Sequence, residues 1–326
     1  MRDVNPRRQT HGLDRGEFRR LMLVERICDQ DWDSMQTYNL RGILLMILSM
    51  LGFAIEDVFL KLLSDTIPAS QLLVLTGFGA AIVLAAIAKV QGAPIYSNQL
   101  WERPIIIRTL ADLVGAIFFI WSIVLLPLTI LSSIIQAIPL AVTAGAALIL
   151  GERVGIKRWT AIAIGFIGVL IIIRPTTQGV NIGALLALIF VAALAVRDLV
   201  TRQIRTKLPS VTISIYGFVA MGTAGLVIAP FSTPYVWPTT IETLWLALAI
   251  LFAVIGYYMI VISTRIGDAS VVAPFRYSRL VFAVMLSFVF LGETIDPITG
   301  LGIFIVITSG LYTFWREARL RKSQSK

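Results

Sequence analysis

The chain has 326 residues, 57% hydrophobic and 14% charged, against roughly 25% charged in ordinary soluble domains, so a soluble globular protein is excluded. Its formal charge of +9 is gathered at the two ends rather than over a folded face, which speaks against nucleic acid and for contact with anionic lipid. With Cys28 the one cysteine and His11 the one histidine, there is no intrachain disulfide, no Cys/His metal cluster and no buried histidine relay.

Residues 1–39 form a polar arm with acids as well as bases and no apolar core, so it does not read as a cleavable signal. The expectation is an unstructured cytoplasmic leader, with a short amphipathic helix over Phe18–Cys28 as the alternative. From Leu40 on, charge retreats into short clusters. A bilayer core of about 30 Å needs roughly 20 apolar residues in a helix, and ten such spans are predicted. They are Leu40–Leu62, Ser70–Ala88, Ile105–Leu126, Thr129–Leu150, Trp159–Ile173, Ile182–Val200, Val211–Phe231, Leu244–Ser263, Ala269–Leu291 and Ile298–Trp315. The tight link at Pro127–Leu128 makes the third and fourth spans an antiparallel hairpin. Residues 316–326 are a basic tail.

Ten crossings put both termini on one side. Of the 28 Lys and Arg residues, only Lys61 and Arg174 fall on the other side, and Arg108, Arg197, Arg276 and Arg279 fall inside spans. All the rest lie on the side of the termini, which the positive-inside rule assigns to the cytoplasm of a cell inner membrane.

Sliding the chain over itself by 141 residues aligns the halves without a gap. Gly42 falls on Gly183, Ala54 on Ala195, Asp57 on Asp198, Lys61 on Arg202, Pro68 on Pro209, Gly115 on Gly256, and Gly151-Glu152 on Gly292-Glu293. Residues 40–174 and 181–315 are therefore two five-helix repeats. Five crossings reverse the chain, so the second repeat is inverted relative to the first. The fold class is an all-α integral membrane protein of ten transmembrane helices in two inverted five-helix repeats. Alternating-access transporters are built this way, with the solute site near midplane between the halves.

The segments Pro139 to Glu152 and Ala273-Pro274-Phe275-Arg276-Tyr277 with Phe290-Leu291-Gly292-Glu293 resemble the two hallmark segments of the EamA family, within the drug/metabolite transporter superfamily. The resemblance runs from about Leu40 to Trp315. It implies ten helices in two inverted repeats, cytoplasmic termini, and a metabolite as solute. The stretch Asp268 to Tyr277 looks most like members associated with S-adenosylmethionine, riboflavin or related metabolites.

Charges inside a membrane cost several kcal/mol unless paired or wetted, which makes each a functional candidate. Arg276 and Arg279 share a face of the ninth span, one turn after Pro274, which loosens the helix there. They read as a bidentate clamp for a solute carboxylate or phosphate, or as partners of Asp112 on the third span, itself a candidate solute or proton site. Arg108 is expected to snorkel to the inner surface. Asp57 with Lys61 and Asp198 with Arg202 are i,i+4 pairs at equivalent places, either local ion pairs or gate components. Glu56 lacks a local base and is the proton-coupling candidate.

Glu152 and Glu293 follow helix carboxyl ends and suit the start of the next helix. Gln136, Tyr277, Trp121, Tyr257 and Tyr258 could line a cavity for a planar or amino-acid-like solute. Gly165, Gly168, Gly302 and Gly310 permit close contact between repeats, or between protomers of a homodimer; a monomer suits the sequence equally. No Walker loop is present, so the transport is gradient-driven and needs no cofactor. A membrane receptor or assembly factor, or an intramembrane enzyme, is the alternative.

Overall fold

The computed structural model describes residues 15–151, 155–174, 181–201, 203–204, 208–266 and 269–324. Among these, ten helices are long and apolar enough to cross a membrane. We label them α1 (Asn39–Leu63), α2 (Ala69–Val90), α3 (Arg103–Leu125), α4 (Leu128–Ile149), α5 (Ile156–Ile173), α6 (Ile182–Thr201), α7 (Ser210–Phe231), α8 (Thr240–Ser263), α9 (Ala273–Leu291) and α10 (Pro297–Arg316). The helix of α1 begins far upstream, at Arg15. The leader is therefore helical well beyond Phe18–Cys28, because no proline or glycine between Glu17 and Arg41 interrupts it.

Local chemistry sets the other boundaries. Pro68, Pro127 and Pro209 stand at the N-caps of α2, α4 and α7, where a missing N–H costs no helical hydrogen bond. Gly151 and Gly292, repeat equivalents after α4 and α9, have φ of 68° and 66°. That left-handed conformation ends a helix cheaply only when no Cβ is present. Two helices are broken at related depths. α4 is interrupted at Gln136–Ala137 and resumes at Ile138, with Pro139 in its new first turn. α9 opens as a 3₁₀ turn over Ala273–Tyr277 containing Pro274, becomes α-helical over Ser278–Leu286, and ends in a wider π turn.

The packing repeats itself across the two halves. α1 lies on α8 as α3 lies on α6, α2 lies on its equivalent α7, and α5 on its equivalent α10. At the α1–α8 crossing a Cβ on Gly52 would stand 3.3 Å from the Gly256 Cα. The repeat equivalents of this pair, Ala193 and Gly115, meet at the α3–α6 crossing, with 3.8 Å from a Gly115 Cβ to that of Ala193. A Cβ on Gly168 would lie 3.0 Å from the Gly302 carbonyl, and one on Gly302 2.9 Å from the Gly168 carbonyl. These small residues thus join the two repeats of one chain, α5 to α10. Gly310 departs from that expectation, because it faces the Tyr277 ring of α9.

Core packing differs between the two ends of the bundle. Toward the face opposite the termini, one continuous apolar cluster runs through Leu60, Leu63, Leu72, Ile120, Ile123, Leu128, Leu131, Ile134, Ala184, Phe190 and Ile228. Toward the terminal face the buried apolar residues among those described fall into three separate groups. Ala80, Leu84 and Ala88 pack with Ile215 and Val254; Val142 and Ala146 with Ala195 and Leu199; Met46 and Met50 with Val272. One half is plugged, and the other is divided.

Candidate functional site

The intramembrane charges gather where the divided half meets the plug. Asp57, 1% exposed, accepts from Arg279 Nη2 at 2.8 and 2.9 Å and from its Nε at 3.2 Å. The Arg279 guanidinium also stands 5.4 Å from the Phe53 ring centre, a cation–π distance. The expected pairing of Asp57 with Lys61 is therefore corrected. An arginine fork from α9 offers a carboxylate on α1 several bonds, which an i+4 lysine cannot match. Lys61 turns instead to the end of α3, donating to the carbonyls of Ile123 at 2.7 Å, Leu126 at 2.9 Å and Val124 at 3.3 Å. Those carbonyls have no intrahelical partner and carry the negative end of the helix dipole.

Asp112 does not pair with Arg276 or Arg279, a second correction. Arg108 Nη1 approaches it at 3.1 Å from one turn earlier, and Arg197 Nη1 at 3.5 Å from α6. Arg108 does not snorkel outward either. It is 7% exposed, because its nearest acid is inside, and its Nη1 reaches the Ile213 carbonyl at 3.5 Å. Arg197 binds Asp198 at 2.8 Å, so Asp198 takes its neighbour as partner; Arg202 lies outside the described residues. Arg276 is half-buried and faces Asp198, Arg197 and Arg279 electrostatically. Among the described residues no carboxylate comes within ion-pair distance of it. Glu56 is also half-buried. It lies in the field of Arg279 on α9, with no base three or four residues away on its own helix.

Gln136 and Tyr277 are both buried. Gln136 Nε2 donates to the Tyr277 carbonyl at 3.2 Å, so two repeat equivalents meet across the axis between the halves. The Tyr277 ring is 5% exposed and packs edge-on to Phe314 at 6.2 Å. Trp121 leans on the apolar plug. Tyr257 does border open space. With Gln91, Pro209, Val211, Tyr258 and Val261 it lines a cavity of about 110 Å³ on the terminal side. Its ring sits edge-on to Phe218 at 5.9 Å, and it is close enough to Arg197 to interact electrostatically.

Glu293 serves the start of a helix, but not that of the next one. Its Oε1 accepts from Leu128 N at 2.6 Å and its Oε2 from Thr129 N at 2.8 Å, capping α4 from across the repeat boundary. Glu152 lies outside the described residues. The start of α10 is held by Asp296, which accepts from the amides of Ile298 and Thr299 at 3.0 and 3.1 Å and pairs with Arg174. The Thr299 hydroxyl and amide, with Arg174 beside them, hold the Asp296 carboxyl well below the usual carboxylate range.

Arg197 entered the sequence reading only as an arginine inside a span. Its signal was present, since a span arginine directly before an aspartate must find partners inside the bundle.

A family model described as the EamA-like transporter family matches residues 40–174 and again residues 181–315. An S-adenosylmethionine uptake transporter of Rickettsia prowazekii is 25% identical over 297 residues, covering 90% of this chain and 98% of the relative. A riboflavin transporter of Rhizobium johnstonii is 24% identical over 283 residues, covering 85% and 92%. A crystal structure superposes with a TM-score of 0.63 at 16% identity, covering 86% of this chain and 99% of the other.

Proposed function

The chain belongs to the EamA-like transporter family and is a metabolite transporter, and we propose that it works by alternating access, driven by a gradient, on a small solute bearing an anionic group. The reading rests on one observation: a continuous apolar plug on one face against three separate packed groups on the other. A carrier open on the terminal side and closed opposite has this distribution. The two states of an inverted repeat exchange the roles of the halves. The excess of Lys and Arg supports a cytoplasmic terminal face, hence an inward-open state in the inner membrane. The contact between α5 and α10 lies within one chain, which suits a monomeric unit.

Arg276 is the residue we assign to the anionic group, because Arg279 is already held by Asp57. The names of the relatives make S-adenosylmethionine and riboflavin the first solutes to try. Flux of each labelled compound into proteoliposomes is the test. Transport should fall in Arg276→Lys, which keeps charge but loses the planar fork, and fall further in Arg276→Ala, at unchanged yield of folded protein. Undiminished flux in Arg276→Ala would remove the anion assignment. Absence of flux for a wide metabolite panel would remove the carrier reading.

A further inference from the structure

α4 and α9 are repeat equivalents, and they meet on the closed half of the bundle along a seam fixed at both ends. At the end farther from the termini, the Glu293 carboxylate accepts from Leu128 N and Thr129 N at 2.6 and 2.8 Å. Deeper in the bundle, Gln136 Nε2 donates to the Tyr277 carbonyl at 3.2 Å. From Thr129 to Gln136 the seam follows α4 for about 10 Å.

Between those two contacts one side of α4 is polar. Thr129, Ser132, Ser133 and Gln136 are spaced by three, four and seven residues, so they share a face, and each is buried. Their neighbours Leu128, Leu131, Ile134 and Ile135 belong to the apolar plug. Ser133 Oγ donates to the Thr129 carbonyl at 2.6 Å, and Gln136 is bound to α9. Thr129 Oγ1 and Ser132 Oγ have no hydrogen-bond partner among the described residues. On α9, Ser287 repeats the situation. It is fully buried, its carbonyl accepts from Glu293 N at 3.2 Å, and its Oγ has no partner among the described residues.

Orphaned hydroxyls are unfavourable as mere packing. A buried hydroxyl without a partner carries its whole desolvation penalty, which an alanine in its place would not. Helical serines commonly bond back to the carbonyl four residues earlier, as Ser122 and Ser133 do here. The repeat counterparts of the α4 stripe are Ser270, Ala273, Pro274 and Tyr277. They fall at or just before the start of α9, on the divided half and beside Arg276. In an inverted repeat the halves exchange roles between states. The α4 stripe then takes, on the opposite face, the place that the start of α9 has now.

We propose that Thr129, Ser132 and Ser287 line the solute path once the carrier opens opposite the termini, where their hydroxyls bond an uncharged polar part of the solute. The proposal rests on the alternating-access reading and adds a second class of contact to the anion contact at Arg276. Hydroxyls both donate and accept, so they suit hydroxyl, amide or ring-nitrogen groups.

The first test is thiol labelling of the full chain in nanodiscs, in a Cys28→Ser background, with a small cationic methanethiosulfonate. Thr129→Cys and Ser132→Cys, on the stripe, are compared with Ile130→Cys and Ile134→Cys on the other side of the same helix. All four are made with and without Lys61→Met, which removes the cation bound to the α3 carbonyls. The stripe cysteines should react at least tenfold faster than the other two. Equal rates, or faster reaction at Ile130 and Ile134, would overturn the lining assignment and leave the carrier in place. No reaction at any of the four in either background would remove the opening itself, and the alternating-access reading with it. The second test is Ser132→Ala and Ser287→Ala. Melting temperature should hold or rise, since no hydrogen bond is lost, while flux of labelled S-adenosylmethionine or riboflavin falls at least fivefold per folded molecule. A lowered melting temperature, or unchanged flux, would make the hydroxyls packing groups and overturn their contact with solute. If neither compound is carried, the labelling pattern alone decides.

Discussion

Asp57 is the most buried carboxylate among the described residues, and it depends on Arg279 from a helix more than two hundred residues away in sequence. Removing one partner of a buried pair strands the other, typically at about 3–5 kcal/mol. Arg279→Ala should therefore lower the melting temperature in detergent sharply. Asp57→Asn with Arg279→Gln together should recover much of the loss, because neither neutral amide leaves a naked charge. A double variant no more stable than Arg279→Ala alone would show that the arginine acts through packing on Phe53 instead. Flux in the double variant measures how much transport needs that pair.

At the scale of elements, one corner bears on the closed face. Lys61 from the first repeat holds the last carbonyls of α3, and Glu293 from the second holds the first amides of α4. The single link between those helices is thereby clasped from both sides. On the alternating-access proposal, opening the plugged face parts this clasp. Lys61→Met and Glu293→Gln should each shift the carrier toward the state open opposite the termini. The readout is maleimide labelling of a cysteine placed at Leu131 in a Cys28→Ser background, which should be slow in the parent and several-fold faster in either variant. Equal rates would reduce the clasp to local capping. Gly292→Ala is a separate matter of backbone, since a left-handed φ costs a residue with a Cβ about 1–2 kcal/mol. It should lower stability by about that amount, and calorimetry or thermal melting checks it.

For the whole molecule, the divided and plugged halves predict where water reaches. In the Cys28→Ser background, a cysteine at Ile262, which lines the terminal-side cavity, should react readily with a small maleimide. One at Ile134, within the plug, should be protected. The reverse order would place the opening on the other face. Topology reporters fused after Lys326 and within 97–100 should read cytoplasmic, and one within 232–240 should read external. A cytoplasmic signal from the third would break the ten-span count.

Spans, repeat and inversion were all legible in the sequence, because a bilayer demands about 20 apolar residues per helix and an odd number of crossings reverses the chain. The capping role of Glu293 was half legible: the chemistry of a carboxylate at a helix start is local, but which start it reaches is not. The ion-pair partners were not legible. Spacing along one helix suggested Asp57 with Lys61, and similar depth on separate spans suggested Asp112 with Arg276 or Arg279. The packing of α1 on α8 and α9, and of α3 on α6, brings Arg279 to Asp57 and Arg197 to Asp112 instead. A long arginine side chain reaches any carboxylate that the packing brings within a few ångströms, so helix arrangement decides the pairs. The sequence by itself determined which ionisable side chains would lie inside the membrane; only the tertiary structure decided which of them pair, because helix packing rather than spacing along one helix sets the carboxylate that an arginine reaches.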